Sequence, residues 1–141
     1  MVIEIVDFDR AHLSAMAVQS AQLAGVGQFK DCPQEAFGLA YTAMDGGKPV
    51  ACAGIVEVWP GRGYAWALLS EQAGRWMVQI SRAVSRAIAL SGLRRIEMAV
   101  DADFVAGRRW AVMLGFILET PQPMRAYLPD GRDAYLFSKV N

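Results

Sequence analysis

The stretch 68-LLSEQAGRWM-77 decides how the chain folds. Its first three residues close an apolar run, YAWALLS (64–70), that reads as a strand. From about Gly74 the period changes, and Met77, Ile80, Val84 and Ile88 fall on one stripe of a helix reaching residue 91. The polar residues between must turn strand into helix. The first amides of a helix have no intrahelical partner and share the positive end of its dipole, so such a turn can hold phosphate. Phosphate-binding turns are usually rich in glycine, which lets the backbone approach closely. Here Gly74 stands alone, Glu71 adds negative charge, and the bulky Trp76 follows. A working cradle, a modified one and a plain turn are the three readings.

Upstream, PVACAGIVEVW (49–59) reaches YAWALLS through the turn PGRG (60–63). Before it, GLAYTAM (38–44) leads into DGGK (45–48), whose Asp-Gly signals a hairpin. VIEIV (2–6) alternates like a strand. Asp9 is placed to cap a helix from Arg10 to about Leu23, with Leu13, Met16, Ala17 and Ala21 on one face and GVG (25–27) at its end. Asp31 and Pro33 resemble the cap and first position of a short helix, PQEAF. Downstream, Ser91-Gly92 ends the long helix and RRIEMAVD (94–101) is a strand. Asp103 is expected to cap a further helix through Leu114, ended by Gly115. FILE and MRAYL are expected to pair with RDAYLFSKV through the turn LPDG (128–131). The order is βα(α)βββαβαββ, a mixed α/β (α+β) sheet carrying helices on a single domain spanning 1–141.

A chain of 141 residues, 54% hydrophobic and 20% charged, can bury roughly 70% of its unfolded surface and is not disordered. Acidic and basic residues balance at 14 each, so no net field favours nucleic acid or an anionic membrane. Lysines are few (Lys30, Lys48 and Lys139), and the arginines that dominate suit anion recognition. Cys32 and Cys52 have neither metal-ligand nor disulfide spacing, and Cys52 lies in a core-like VACAG context. The N-terminal MVIEIVDFDR lacks signal-peptide character, and no apolar run is long enough to span a membrane. A cytoplasmic protein without a metal is the expectation.

The sequence YAWALLS–SEQAG–long helix–RRIEMAV–helix–LGF resembles, over nearly the whole chain, the GNAT superfamily of N-acetyltransferases. WAVMLGF (110–116) is similar to that family's last helix and the Gly-Phe after it. The resemblance implies a GNAT-like acyl-CoA N-acyltransferase fold, acetyl-CoA as co-substrate, an amine on a small molecule or peptide as acceptor, and a homodimer. It implies that exposed amides of Leu68, Leu69 and Ser70 hold the pantetheine arm in a V-shaped opening between YAWALLS and RRIEMAV. It assigns the pyrophosphate to Gly74, Arg75, Trp76 and Met77, in a turn the family writes Q/R-x-x-G-x-G/A. Glu71 and Trp76 depart from that pattern. The family's acidic Tyr falls at Ala111 and its helix-start Asn near Phe104. The S-E-Q triplet, the basic long helix and Trp110 also resemble small GNAT-like phage proteins, which implies an inactive fold working in virion assembly with phage structural partners.

Several side chains are candidates within that frame. Arg75, Arg82 and Arg86 recur along one side of the long helix, and with Arg108 and Arg109 they could grip CoA phosphates; otherwise they are its wet face. Glu57 leads as general base, with Glu97 second because a solvent-facing strand position fits it well. Tyr127 is the candidate acid for the leaving thiolate, beside Tyr64 and Tyr135, though strand-edge tyrosines more often pack. His12 has no ligand partner in the sequence and reads as structural or exposed.

Overall fold

The computed structural model describes residues 2–22, 29 and 31–141. The strands are β1 (Glu4–Asp7), β2 (Leu39–Asp45), β3 (Lys48–Trp59), β4 (Arg62–Leu69), β5 (Arg95–Asp101), β6 (Ile117–Leu118) and β7 (Ala134–Val140). Among the described residues the α-helices with stated bounds are α1 (Ala11–Ala15), α2 (Met77–Leu90) and α3 (Val105–Met113), with 3-10 turns at Ser20–Gln22, Gln34–Phe37 and Ala73–Trp76. The seven strands lie in the order β1-β2-β3-β4-β5-β7-β6. β4 and β5 run parallel and are connected through α2, as the strand–helix–strand reading requires. The pairs β1–β2, β2–β3, β5–β7 and β6–β7 are antiparallel.

The chain divides into two compact units, Met1–Val56 with Ala65–Ser91, and Glu57–Tyr64 with Gly92–Asn141. The first is built on aromatic rings. Phe8, Phe37 and Trp66 meet at centroid distances of 5.0, 5.3 and 5.4 Å, and Trp66 Nε1 donates to the Phe37 carbonyl at 2.9 Å. Buried Leu13, Met16, Val18, Cys52 and Leu68 complete this core. Removing each such side chain from water contributes about 1.5–3 kcal/mol. Gly38 makes the packing feasible: it sits at φ +69°, and a Cβ there would lie 2.2 Å from the Ile55 carbonyl oxygen.

Four expected elements come out differently. The first helix, expected to reach Leu23, stops at Ala15, and Met16 is already extended (φ −104°, ψ 129°). Met16 and Val18 are buried with Ala17 exposed between them, an alternation of period two, and Val18 bridges Ser70 antiparallel. Pairing with the end of β4 overrides the helical propensity of this segment. Leu23 and the expected terminator GVG lie outside the described residues. Asp9 Oδ1 accepts from the Ala11 N–H at 2.8 Å, but the N-cap of α1 is Arg10, without a side-chain cap bond. MRAYL is not a strand, since Met124 alone bridges Ala134. Pro121 and Pro123 remove ladder donors, and Ala126 adopts a positive φ of 52°. Asp103 does not cap α3: Phe104 is its N-cap, without a side-chain bond. The short PQEAF helix also starts differently: Pro33 is the N-cap of the 3-10 turn Gln34–Phe37, without a side-chain bond, so Asp31 is not its cap.

The second unit is centred on β5, where Ile96 is wholly buried, and α3 ends as expected at Gly115 (φ +93°). There Phe116 N–H donates to the Ala111 carbonyl and Gly115 N–H to Val112, a Schellman-type closure. No helix among the described residues is long and apolar enough to cross a membrane.

Candidate functional site

β4 has two different edges. Ser70 N–H donates to the Val50 carbonyl, so even-numbered positions at this end of the strand direct their backbone groups toward β3. Odd-numbered positions direct theirs the other way, the side on which Gly61 accepts from Arg95 N–H at the strand's beginning. The ladder with β5 covers residues 62–64 of β4 and no more. Beyond it, the backbone groups of Ala67 and Leu69 meet the chain's own residues 17–22. Leu69 N–H donates to Gln22 Oε1 at 2.8 Å, and Gln22 Nε2 donates to the Ala67 carbonyl at 2.8 Å. Gln19 N–H donates to the Leu69 carbonyl at 2.9 Å, and its side-chain amide to the Ser70 carbonyl at 3.2 Å. The amides of Leu69 and Ser70, expected to be exposed, are therefore both engaged within the protein. Buried Leu68 points its side chain into the core.

The turn after β4 is closed in the same manner. Glu71 N–H donates to Ala17, Gln72 N–H to Ser70 Oγ, Ala73 N–H to Ser70, and Met77 N–H to Gly74. The first helical turn, Ala73–Trp76, is 3-10 rather than α. Trp76 does not stand over the turn. It is 4% exposed, and its Nε1 donates to Asp45 Oδ2 at 3.2 Å. Gly74 is exposed, and a Cβ there would meet nothing within 4 Å. Arg75 is exposed with its guanidinium 5.1 Å from the Trp76 ring centroid.

The remaining candidates belong to the second unit. Glu57 is exposed, and its Oε1 accepts from Gly61 N–H at 3.3 Å, bracing the β3–β4 turn. Glu97 is buried at 6% exposure, contrary to the solvent-facing position expected. It pairs with the Arg62 guanidinium and lies 3.5 Å from Arg95 Nη2. The hydrogen bond from Arg62, helped by Arg95, holds its carboxyl below the usual carboxylate range although burial opposes this. A carboxylate so paired is a poor proton acceptor. Tyr127 is exposed. Tyr64 is half-buried, and burial followed by the neighbouring Tyr127 pushes its phenol up, which keeps it protonated. Arg108 is held by Ala102, whose carbonyl accepts from Nη1 at 3.2 Å, and it stacks 4.3 Å over Tyr135, whereas Arg109 is exposed. Ala111 is completely enclosed. Among the described residues no three His, Cys, Asp or Glu are grouped to hold a metal.

No family model matches the chain, and no curated protein matches it. Solved structures do. An acetyltransferase of the GNAT family from Streptococcus pneumoniae matches over 99% of both chains with a TM-score of 0.64 at 16% identity. The chain has the GNAT acetyltransferase fold. Ard1 from Thermoplasma volcanium matches over 99% of this chain and 98% of its own, with a TM-score of 0.75 and 13% identity. RimL, a ribosomal alpha-N-protein acetyltransferase solved in complex with coenzyme A, matches over 99% and 94%, with a TM-score of 0.69 and 14% identity. None of these three is described as a phage protein, so the virion-assembly expectation rests on the sequence alone. On the GNAT fold, the turn from β4 to α2 and the β4 edge are the places the sequence resemblance gave to the co-substrate. Gln19 and Gln22 escaped the sequence reading, because the helical stripe of Leu13 and Met16 placed both on a wet helix face.

Proposed function

We propose that the chain is an acyl-CoA-dependent N-acyltransferase that passes an acyl group, acetyl in the first instance, to an amine. One observation carries the reading: β4 presents Ala67 C=O and Leu69 N–H as a matched acceptor and donor, and a carboxamide from Gln22 satisfies both at 2.8 Å. An edge that binds one amide in this way can bind the amide of an extended arm such as pantetheine. Gly74, unobstructed, and Arg75 are assigned to the phosphates, with Arg109 as a further cation. Met77 and Trp76 fall out of that set, because the Met77 amide is engaged and the Trp76 ring is in the core.

Bound acyl-CoA would supply the thioester carbon that the amine attacks. The chain's own part is to hold the arm straight along β4 and to manage the proton. Glu57, exposed and with no ion-pair partner among the described residues, is assigned as base in preference to Glu97. Tyr127 is assigned as acid, with the protonated Tyr64 phenol beside it. The acceptor is a small-molecule or protein amine.

The test is release of free thiol from acetyl-CoA, followed with a panel of polyamines and peptide N-termini. The reading predicts amine-dependent thiol release that falls at least tenfold in Glu57→Gln. Thiol release no faster than in buffer with every amine, from protein that melts cooperatively, would contradict it.

A further inference from the structure

Five hydrogen bonds tie residues 17–22 to the end of β4 and the turn after it. They run from Leu69 N–H to Gln22 Oε1, Gln22 Nε2 to Ala67, Gln19 N–H to Leu69, Gln19 Nε2 to Ser70, and Glu71 N–H to Ala17. Two of them differ in kind from an ordinary ladder. Where a neighbouring strand would bring a peptide group, Gln22 brings its side-chain carboxamide, which donates to Ala67 and accepts from Leu69 as a peptide group would. Gln22 N–H is turned back onto the Gln19 carbonyl at 2.9 Å, which leaves the side chain to make the pairing.

We propose that this segment is a built-in strap. Gln22 occupies the β4 position that an amide-bearing arm must take, so ligand entry requires its displacement. The inference rests on β4 being the acyl-CoA edge. The anchor and the releasable part are separate. Met16 and Val18 are buried at 7% and 6% exposure and fix the segment in the core. Gln19 and Gln22 are half-buried and polar, in or next to a single 3-10 turn of three residues, a structure with little cooperativity of its own. Exchanging one amide for another on Leu69 leaves no buried donor unsatisfied, so the swap is close to neutral and the rest of the ligand decides it. A ligand without an amide at that point would strand Leu69 N–H and Ala67 C=O, so the strap also selects for chains that carry one. While the strap is closed, apparent affinity is lowered by the fraction of molecules in which the edge is open.

The probe is coenzyme A, titrated by calorimetry into the full chain and into Gln22→Ala. Removing the competing carboxamide should tighten the dissociation constant about tenfold, corresponding to the two hydrogen bonds it makes. Wild-type binding that is unchanged or weakened in Gln22→Ala overturns the strap while leaving the acyl-CoA reading intact. Failure of both proteins to bind overturns the reading and the strap together. Amide exchange on the wild type gives a second readout that needs no variant. At saturating coenzyme A, the Gln19 amide should lose protection while the Leu69 amide keeps it. Unchanged protection at Gln19 would overturn the proposal.

Discussion

Glu97 keeps a charge in the middle of β5 because the Arg62 and Arg95 guanidiniums reach it. Replacing it by Gln takes the carboxylate partner from Arg62 and one of two from Arg95, which keeps Glu119. Since both arginines are about 30% exposed and water screens them, the expected loss is about 1–3 kcal/mol in urea unfolding. The pH dependence has a definite sign. Its folded pKa lies below the ordinary 4.5, so its contribution is complete above that value and is lost as pH falls through the lowered folded one. The acid limb of the stability curve should therefore be shallower in Glu97→Gln than in the wild type. Cys52 gives the opposite sign. Burial pushes its thiol from 9.0 to about 11, against a smaller lowering from Thr42, so folding favours the neutral thiol. Its contribution is present below pH 9 and disappears as pH rises toward 11, and at pH 8 it should resist thiol reagents until the chain unfolds. Cys52 was legible as a core residue from its apolar neighbours. Glu97 was not, because alternation shows which residues share a face but not which side chains cover that face.

At the scale of elements, the turn between β4 and α2 combines a fixed ring with an open glycine. Trp76 is buried and hydrogen-bonded to Asp45, so Trp76→Ala should cost about 3–5 kcal/mol, while Trp76→Phe should cost about 1 kcal/mol by losing one hydrogen bond. Chemical denaturation separates the two. In the sequence the same residue could be read as an obstacle to phosphate, because spacing does not say which way the first side chains of a helix turn. The long helix, the Asp-Gly hairpin and the Gly115 terminus were legible, each resting on a local rule of period or backbone conformation. The early end of α1 was not, since it depends on Val18 meeting Ser70, 52 positions along the chain. The Gln22 carboxamide on β4 was hidden for the same reason.

For the whole molecule, element order carried the fold. A helix between two parallel strands with hairpins on either side leaves few ways to lay out the sheet, and the order β1-β2-β3-β4-β5-β7-β6 is one of them. Function was less legible, because a fold fixes where the elements stand and not which side chains bind a ligand or move protons. Glu57 and Tyr127 belong to the unit that holds β5, whereas Leu69 and Gly74 belong to the unit that holds α2. The most direct measurement is a coenzyme A titration of the isotope-labelled chain, with backbone amide shifts recorded residue by residue. The account predicts saturable shifts at Leu69, Gly74 and Arg75, weakened by Arg75→Glu and by Gly74→Trp. An unchanged spectrum at millimolar coenzyme A, or shifts confined to residues away from β4 and its turn, would contradict it.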